Sequence, residues 1–92
     1  MDILFLTKEH CDFCTQAKVV LERLRVEYAF ALSLLDLQTP EGEALAIRNG
    51  ILFPPGVFLD GEPFSYGRIS ERKLRREIER RLSLANNGPD DS

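Results

Sequence analysis

A short apolar run that leads directly into an amphipathic segment constrains the fold of this chain more than any other feature. The run Ile3-Leu4-Phe5-Leu6 predicts a strand buried on both faces, as in α/β sheets. Apolar residues at 13, 17, 20, 21 and 24 then trace one helical face, which predicts a helix from about Asp12 to Val26. A strand followed at once by such a helix favours a β-α-β unit with two parallel strands and a right-handed crossover.

A second strand and a second helix follow. Apolar residues alternate at Tyr28, Phe30, Leu32 and Leu34, which is a strand pattern. Thr39-Pro40-Glu41 combines a capping hydroxyl, a proline for the first helical position and an acid for the first turn. We therefore expect a helix over residues 40–48, which Asn49-Gly50 would end.

The last third of the chain predicts a hairpin and a final helix. Asp60-Gly61 is a favoured type I′ pair between short strands at 57–59 and 62–64. Ser70 is placed to cap the final helix, with Ile69 and Leu74 in the positions of a hydrophobic staple. The order β-α-β-α-β-β-α predicts an α/β fold, with a four-stranded mixed sheet flanked by three helices. We expect one domain over residues 1–84 and a disordered tail over 85–92, which is rich in Asn, Asp, Gly and Pro.

Composition excludes several classes of function. Apolar residues make up 43% of the chain, and no run approaches the roughly 18 residues of a membrane helix. The first residues lack the form of a signal peptide, so we expect a cytoplasmic protein that does not associate with membranes. The net charge of −3 argues against nucleic-acid binding. The basic stretch at 72–81 is interleaved with Glu77 and Glu79, which is typical of a solvated helix face, and an acidic protein would fit it better than a nucleic acid.

The two cysteines of the chain form a single motif, Cys11-Asp12-Phe13-Cys14, at the predicted start of the first helix. A Cys-x-x-Cys pair by itself suits either redox chemistry or a metal site. His10 would be a third metal ligand, but no fourth is evident, so we predict no metal site. An incidental pair of small buried side chains is the alternative without chemistry. The strand-to-helix position favours a redox-active dithiol.

The position of Cys11 predicts its chemical role. A free thiol with a pKa near 8.5 is only about 3% ionised at pH 7, and the N–H groups of a helix N-terminus stabilise the thiolate. Lys8 adds a positive charge, whereas Asp12 opposes ionisation. We expect the pKa of Cys11 to lie below that of a free thiol but above that of a Cys-Pro-x-Cys site. Cys11 would attack a substrate disulfide, and the more buried Cys14 would resolve the mixed disulfide.

Two segments of the chain together resemble the glutaredoxins. They are Lys8-x-x-Cys11-x-x-Cys14 and the downstream segment 55–61, Pro-Gly-Val-Phe-Leu-Asp-Gly. The resemblance spans residues 1 to about 82 and implies a thioredoxin-like fold with Pro55 in the cis form, facing the dithiol. It further implies that Lys8 contacts a carboxylate of glutathione and that Phe13 is the aromatic residue before the second cysteine. Gly67 and Ser70 match what remains of the family's Gly-Gly-x-Ser/Thr-Asp element, which binds an anion at a helix N-terminus.

Three positions depart from the glutaredoxin pattern, and all concern the substrate. The residue before the cis-proline is Pro54, which has no N–H to donate to the glutathione peptide. Phe53 replaces the usual threonine, and Leu52 stands where a basic residue often occurs. These departures weaken the case for glutathione as co-substrate. The sequence is closer to glutaredoxin-like redoxins that accept electrons from a thioredoxin reductase.

These observations predict a small monomeric dithiol oxidoreductase that serves electron transport and cell redox homeostasis. It would reduce protein or mixed disulfides through Cys11 and Cys14, and Pro54 and Pro55 would shape the substrate groove. It would need no tightly bound cofactor, with glutathione or a reductase as electron donor. The alternative is a non-catalytic thioredoxin-fold binding module, in which the cysteines form a redox switch or ligate Zn²⁺ or an Fe–S cluster in a dimer.

Overall fold

The computed structural model describes residues 1–87, and its elements follow the predicted order. They are β1 (Asp2–Thr7), α1 (Asp12–Glu27), β2 (Ala31–Asp36), α2 (Pro40–Arg48), β3 (Gly56–Leu59), β4 (Glu62–Tyr66) and α3 (Glu71–Asn87). Helix α3 ends at Asn87, so it includes the first three residues of the predicted tail. The rest of the predicted tail, residues 88–92, lies outside the described residues.

The four strands form one mixed sheet in the order β2-β1-β3-β4. Strand β1 pairs in parallel with β2, from Asp2 opposite Ala31 to Thr7 opposite Asp36. On its other side β1 pairs antiparallel with β3, which pairs antiparallel with β4. This arrangement confirms the predicted fold class, a four-stranded mixed sheet with three helices.

Strand β2 begins three residues later than the alternating pattern predicted. The N–H of Tyr28 donates to the carbonyl of Leu24 (2.9 Å), so Tyr28 closes α1 instead of opening a strand. The pairing with β1 begins only at Ala31. Leu34, the last apolar residue of that alternating pattern, is 52% exposed. The error arises because Tyr28, the C-cap of α1, and Phe30, in the connection to β2, share the period of the strand that follows them.

The turns and caps follow the predicted chemistry. Thr39 caps α2, and its Oγ1 accepts from the N–H of Gly42 at 3.0 Å. Asp60 and Gly61 both have positive φ, 50° and 84°, as a type I′ turn requires. Oγ of Ser70 accepts from the N–H of Lys73 at 3.2 Å, which confirms Ser70 as the cap of α3.

Two apolar layers of unequal size cover the sheet. The layer on the face covered by α1 and α3, called the α1–α3 layer, has ten buried residues. They are Ile3, Phe5, Cys14, Ala17, Leu21, Leu24, Val57, Leu59, Leu74 and Ile78. The opposite α2 layer has three, Leu6, Ala46 and Phe58. Successive residues of β1 and β3 alternate between the layers, which confirms that the first apolar run is a strand buried on both faces.

Ion pairs surround the α1–α3 layer and hold α3 against its neighbours. Arg75 of α3 pairs with Glu27 of α1 at 2.6 Å, and Arg23 of α1 pairs with Glu71 of α3 at 2.8 Å. Arg81 reaches the hairpin, where it pairs with Glu62 at 2.7 Å. These contacts fix α3 against both α1 and the β3–β4 hairpin.

Candidate active site

The strand register brings two distant segments to one edge of the sheet. Leu6, near the end of β1, pairs with Gly56, the first residue of β3. The loop after β1 contains Lys8 and leads to Cys11, while Pro55 immediately precedes Gly56. Because β1 and β3 are antiparallel, both segments leave the sheet at the same end. The fold therefore places the Cys-x-x-Cys motif and the proline segment at one edge of the sheet, which agrees with the thioredoxin-like fold that the resemblance implied.

Cys11 is the N-cap residue of α1. Its backbone is extended, with φ −124° and ψ 107°, and its Sγ accepts from the N–H of Cys14 at 3.1 Å. The carbonyl of Cys11 accepts the first intrahelical bond, from the N–H of Thr15 at 3.1 Å. The sulfur thus occupies the place of the capping oxygen of a serine or aspartate. An anionic sulfur here would meet a free backbone N–H and the positive end of the helix dipole.

The two sulfurs form a disulfide but have different surroundings. The Cα atoms of Cys11 and Cys14 are 5.2 Å apart, within the usual range for a disulfide. Cys14 is 3% exposed and belongs to the α1–α3 layer, whereas Cys11 is half-buried and only packs against that layer. An incoming group can therefore reach Cys11 far more readily than Cys14.

The residues around the dithiol are exposed. Asp12 and Phe13 lie in the first turn of α1, and Phe13 is 43% exposed. Lys8 and His10 are exposed in the loop that precedes the motif, and His10 has a positive φ of 56°. A charged loop and an aromatic ring therefore border the more accessible cysteine.

The proline segment has the backbone form that the resemblance implied. The peptide bond between Pro54 and Pro55 is cis. Pro55 is buried, and its carbonyl accepts from the N–H of Gly67 at 2.7 Å. Pro54 is half-buried and has no N–H, so this position offers a carbonyl but no donor.

Phe53 forms an apolar corner beside the proline segment. Its ring meets the ring of Tyr66 edge to face, with the centroids 5.3 Å apart. Gly67 has a φ of +78°, and a Cβ at this position would lie 2.6 Å from Cε2 of Phe53. The glycine therefore makes room for the phenyl ring that replaces the family's threonine. Phe53 and Leu52 remain 51% and 77% exposed.

Two neighbouring grooves share one residue, Arg68, which the sequence analysis did not single out. The first, about 180 Å³, lies between α1 and the segment before α3, and is lined by Phe13, Gln16, Ala17, Val20, Arg68 and Ile69. The second, about 280 Å³, lies at the start of α3, and is lined by Phe64, Ser65, Arg68, Ser70 and Lys73. Of the sequence-predicted site residues, these grooves contain Phe13 and Ser70, whereas Lys8 lines neither. A cation between Gly67 and the Ser70 cap was the only sequence signal for Arg68.

Within residues 1–87, no three His, Cys, Asp or Glu side chains are grouped so as to hold a metal ion. None of the helices in that range is long and apolar enough to cross a membrane.

Fold and motif together define the class: a thioredoxin-fold protein with a disulfide-forming dithiol at a strand-to-helix junction. Thioredoxin 1 of Thermosipho africanus matches with a TM-score of 0.72 and 16% identity, over 94% of this chain and 99% of that one. A mutant thioredoxin of Halobacterium salinarum gives 0.66 and 26%, over 86% and 72%. Reduced glutaredoxin of Escherichia coli gives 0.63 and 19%, over 90% and 99%.

A family model narrows this class. The model described as Glutaredoxin-like domain (DUF836) matches residues 2–79, so the chain belongs to that family of glutaredoxin-like proteins. No curated protein matches the chain. The resemblance to glutaredoxins that the motif and the proline segment indicated is thereby confirmed.

Proposed function

We propose that this protein is a dithiol thiol–disulfide oxidoreductase that reduces protein or mixed disulfides. The observation that carries the proposal is the position of Cys11, whose Sγ caps α1 and accepts the N–H of Cys14. A thiolate at this position is stabilised before any substrate arrives. The disulfide between Cys11 and Cys14 supports the other half of the cycle, in which the pair becomes oxidised.

The reaction needs only the two thiols and a substrate disulfide. The Cys11 thiolate attacks one substrate sulfur, and the second substrate sulfur leaves as a thiolate that takes up a proton. The Cys14 thiol then loses its proton and attacks Sγ of Cys11. This step breaks the mixed disulfide, forms the Cys11–Cys14 bond and releases the substrate sulfur that Cys11 had attacked, which takes up the proton from Cys14. Two electrons pass from the dithiol to the substrate, and an external donor must return them.

The unequal burial of the cysteines supports this division of roles. A resolving thiol buried at 3% exposure is shielded from other disulfides, yet it lies one helical turn from its target. Replacing Cys14 with serine should therefore stop the reaction at the mixed disulfide. The Cys14→Ser protein should form a stable covalent adduct with a disulfide-containing protein, visible by non-reducing electrophoresis and mass spectrometry. The matched Cys11→Ser variant should form none.

Two results would refute the proposed reaction. The first is a wild-type protein that reduces no disulfide while Cys14→Ser traps no partner. The second is equal trapping by Cys11→Ser and Cys14→Ser, which would remove the assignment of Cys11 as nucleophile. The first result would favour a non-catalytic module with a redox switch, whereas the second would keep the exchange chemistry without a fixed nucleophile.

The electron donor is part of the proposal. Pro54 has no N–H beside the cis bond, so a glutathione peptide laid against this segment loses one of two backbone hydrogen bonds. Oxidised protein should therefore be reduced by thioredoxin reductase and NADPH at least as fast as by glutathione. Because Pro54→Thr restores the N–H, it should shift the preference toward glutathione. A clear preference of the wild-type protein for glutathione would contradict this assignment.

The remaining properties are proposed on the same basis. The two thiols complete the reaction without a tightly bound cofactor or a second chain, so a monomer would suffice. A cytoplasmic location would suit this chemistry, because a reducing compartment returns the disulfide to the dithiol form. Purified protein should then contain no stoichiometric zinc or iron and should elute at the mass of one chain. A coloured or zinc-containing dimer would instead favour the ligand-pair alternative.

A further inference from the structure

The outward face of α3 carries cations that the protein itself does not neutralise. We call Arg68, Arg72, Lys73 and Arg76 the α3 cation row; Arg68 precedes the helix and the other three lie in its first half. All four residues are exposed, and none of their side chains makes an ion pair or hydrogen bond within residues 1–87. By contrast, Arg75, Arg80 and Arg81 of the same helix are each paired with a carboxylate.

This clustering of unneutralised positive charges is electrostatically unfavourable for the isolated protein. Arg72 and Arg76 are four residues apart on a helix, so their charges repel each other. Arg72 and Lys73 also lie in the first turn, where the helix dipole disfavours cations. The whole chain has a net charge of −3, so the positive row is local and contrasts with its surroundings. Such a patch is matched by a partner that carries negative charge at the same place.

The α3 cation row is continuous with the surface beside the dithiol. Arg68 lines the groove that also contains Phe13, the residue before Cys14. It also lines the second groove, together with Lys73. A substrate segment that runs from Cys11 along both grooves therefore passes Phe13, then Arg68 and then Lys73.

We infer that the α3 cation row docks an acidic segment next to the disulfide of the protein substrate. The inference rests on the proposed function, because it names the substrate class of the same site. The carboxylates of an extended Asp- or Glu-rich segment would pair with the row, while the adjacent substrate sulfur meets Cys11. A nucleic acid fits less well, because the acidic remainder of the surface repels a polyanion longer than the row.

Single-turnover kinetics with three matched peptides test this inference. Each peptide carries one cysteine in a mixed disulfide with 2-mercaptoethanol, flanked by three Asp, three Ser or three Lys residues. Prereduced protein is mixed with each peptide, quenched with acid and assayed for freed peptide thiol by mass spectrometry. At low salt, the Asp peptide should react on the order of tenfold faster than the Ser peptide, and the Lys peptide slower than both. The advantage should shrink as salt is raised through physiological ionic strength.

The variant Arg68→Gln/Arg72→Gln/Arg76→Gln identifies the surface responsible. It should reduce the rate ratio of Asp to Ser peptide to nearly one. The control Lys18→Gln/Arg48→Gln removes two unpaired surface cations, from α1 and α2, and should keep the wild-type ratio; Arg72→Gln/Arg76→Gln, which removes two from the row, should lower it. Circular dichroism of each variant checks that the fold is intact.

The outcomes separate this inference from the proposed function. Equal wild-type rates for the three peptides, or a ratio unchanged in the triple variant, would overturn the docking surface but leave the oxidoreductase intact. Failure to reduce any peptide would overturn the proposed function itself. If a single-stranded oligonucleotide binds the wild type and not the triple variant, while the Asp peptide has no advantage, the row is a nucleic-acid surface and the inference is wrong.

Discussion

The two faces of the sheet are covered by different means. The α1–α3 layer is filled by large apolar side chains from two long helices, and ion pairs close its rim. The α2 layer has only three buried members, Leu6, Ala46 and Phe58, and Ile47 of α2 is 74% exposed. Its helix is instead held by close backbone approach, since Gly42 lies directly against the end of β2. One face depends on side-chain volume and the other on the absence of a side chain.

The two layers also differ in their relation to the dithiol. Cys14 is a member of the α1–α3 layer, so the packing that stabilises the protein also buries the resolving thiol. None of the buried residues of the α2 layer belongs to the dithiol. We therefore expect damage to the α1–α3 layer to affect both stability and the protection of Cys14, and damage to the α2 layer to affect stability alone.

The largest effect should come from emptying the α1–α3 layer. Leu74 is fully buried between α3 and the sheet, so Leu74→Ala should lower the free energy of unfolding by about 2 to 5 kcal/mol. Leu45→Ala, at a half-buried position beside the α2 layer, should cost less than half as much. Urea unfolding of both variants measures the difference. Equal losses would mean that the two layers contribute equally to the free energy of unfolding, which would contradict the difference between them.

A smaller effect should come from adding one methyl group to the α2 layer. A Cβ at Gly42 would lie 2.1 Å from the carbonyl oxygen of Asp36, and backbone atoms there cannot move aside cheaply. Gly42→Ala should therefore destabilise the protein by about 1 to 3 kcal/mol, although alanine normally favours a helix. Gly50→Ala is the control, because nothing lies within 4 Å of its Cβ and only its φ of +66° opposes the change. It should cost about 1 kcal/mol. A neutral Gly42→Ala would show that α2 is free to shift.

The smallest effect concerns the polar rim of the α1–α3 layer. Hydrogen bonds from Arg80, and then from Arg81, lower the pKa of Glu77 from its usual 4.5 to about 2. Because the pKa is lower in the folded state, this stabilisation is complete above about pH 4.5 and is lost as the pH falls toward 2. Melting temperatures between pH 2 and 6 should therefore fall more steeply for the wild type than for Glu77→Gln. Parallel curves would show that the pair contributes nothing.

The sequence predicted well those features that a few adjacent residues determine. Thr39-Pro40 placed the start of α2 correctly, and Asp60-Gly61 predicted a turn whose two residues both have positive φ. The alternation that begins at Tyr28 misplaced β2, because hydrogen bonding to β1 sets where that strand begins. The cis bond at Pro55 came from the resemblance to glutaredoxins, since the dipeptide alone does not specify it.

Features that depend on two distant segments were not visible in the sequence. The sequence shows Gly42 only as a glycine in a helix; its close approach to the end of β2 is visible only in the fold. Arg68 gains significance only when α1 and the segment before α3 form a shared groove. The substrate-binding roles of six residues stay predictions: Lys8, Phe13, Pro54, Pro55, Gly67 and Ser70.

The capping position of Cys11 decides which inactive form of the protein is a fair reference. One side chain both carries the chemistry and begins α1, because its sulfur accepts the N–H of Cys14. Alanine at position 11 would remove the nucleophile and the cap together, and the lost cap alone costs about 1 kcal/mol. Serine removes the nucleophilic sulfur but keeps an acceptor where the helix needs one. A Cys11→Ala protein that fails to bind a partner would therefore report on the folding of α1 as much as on catalysis.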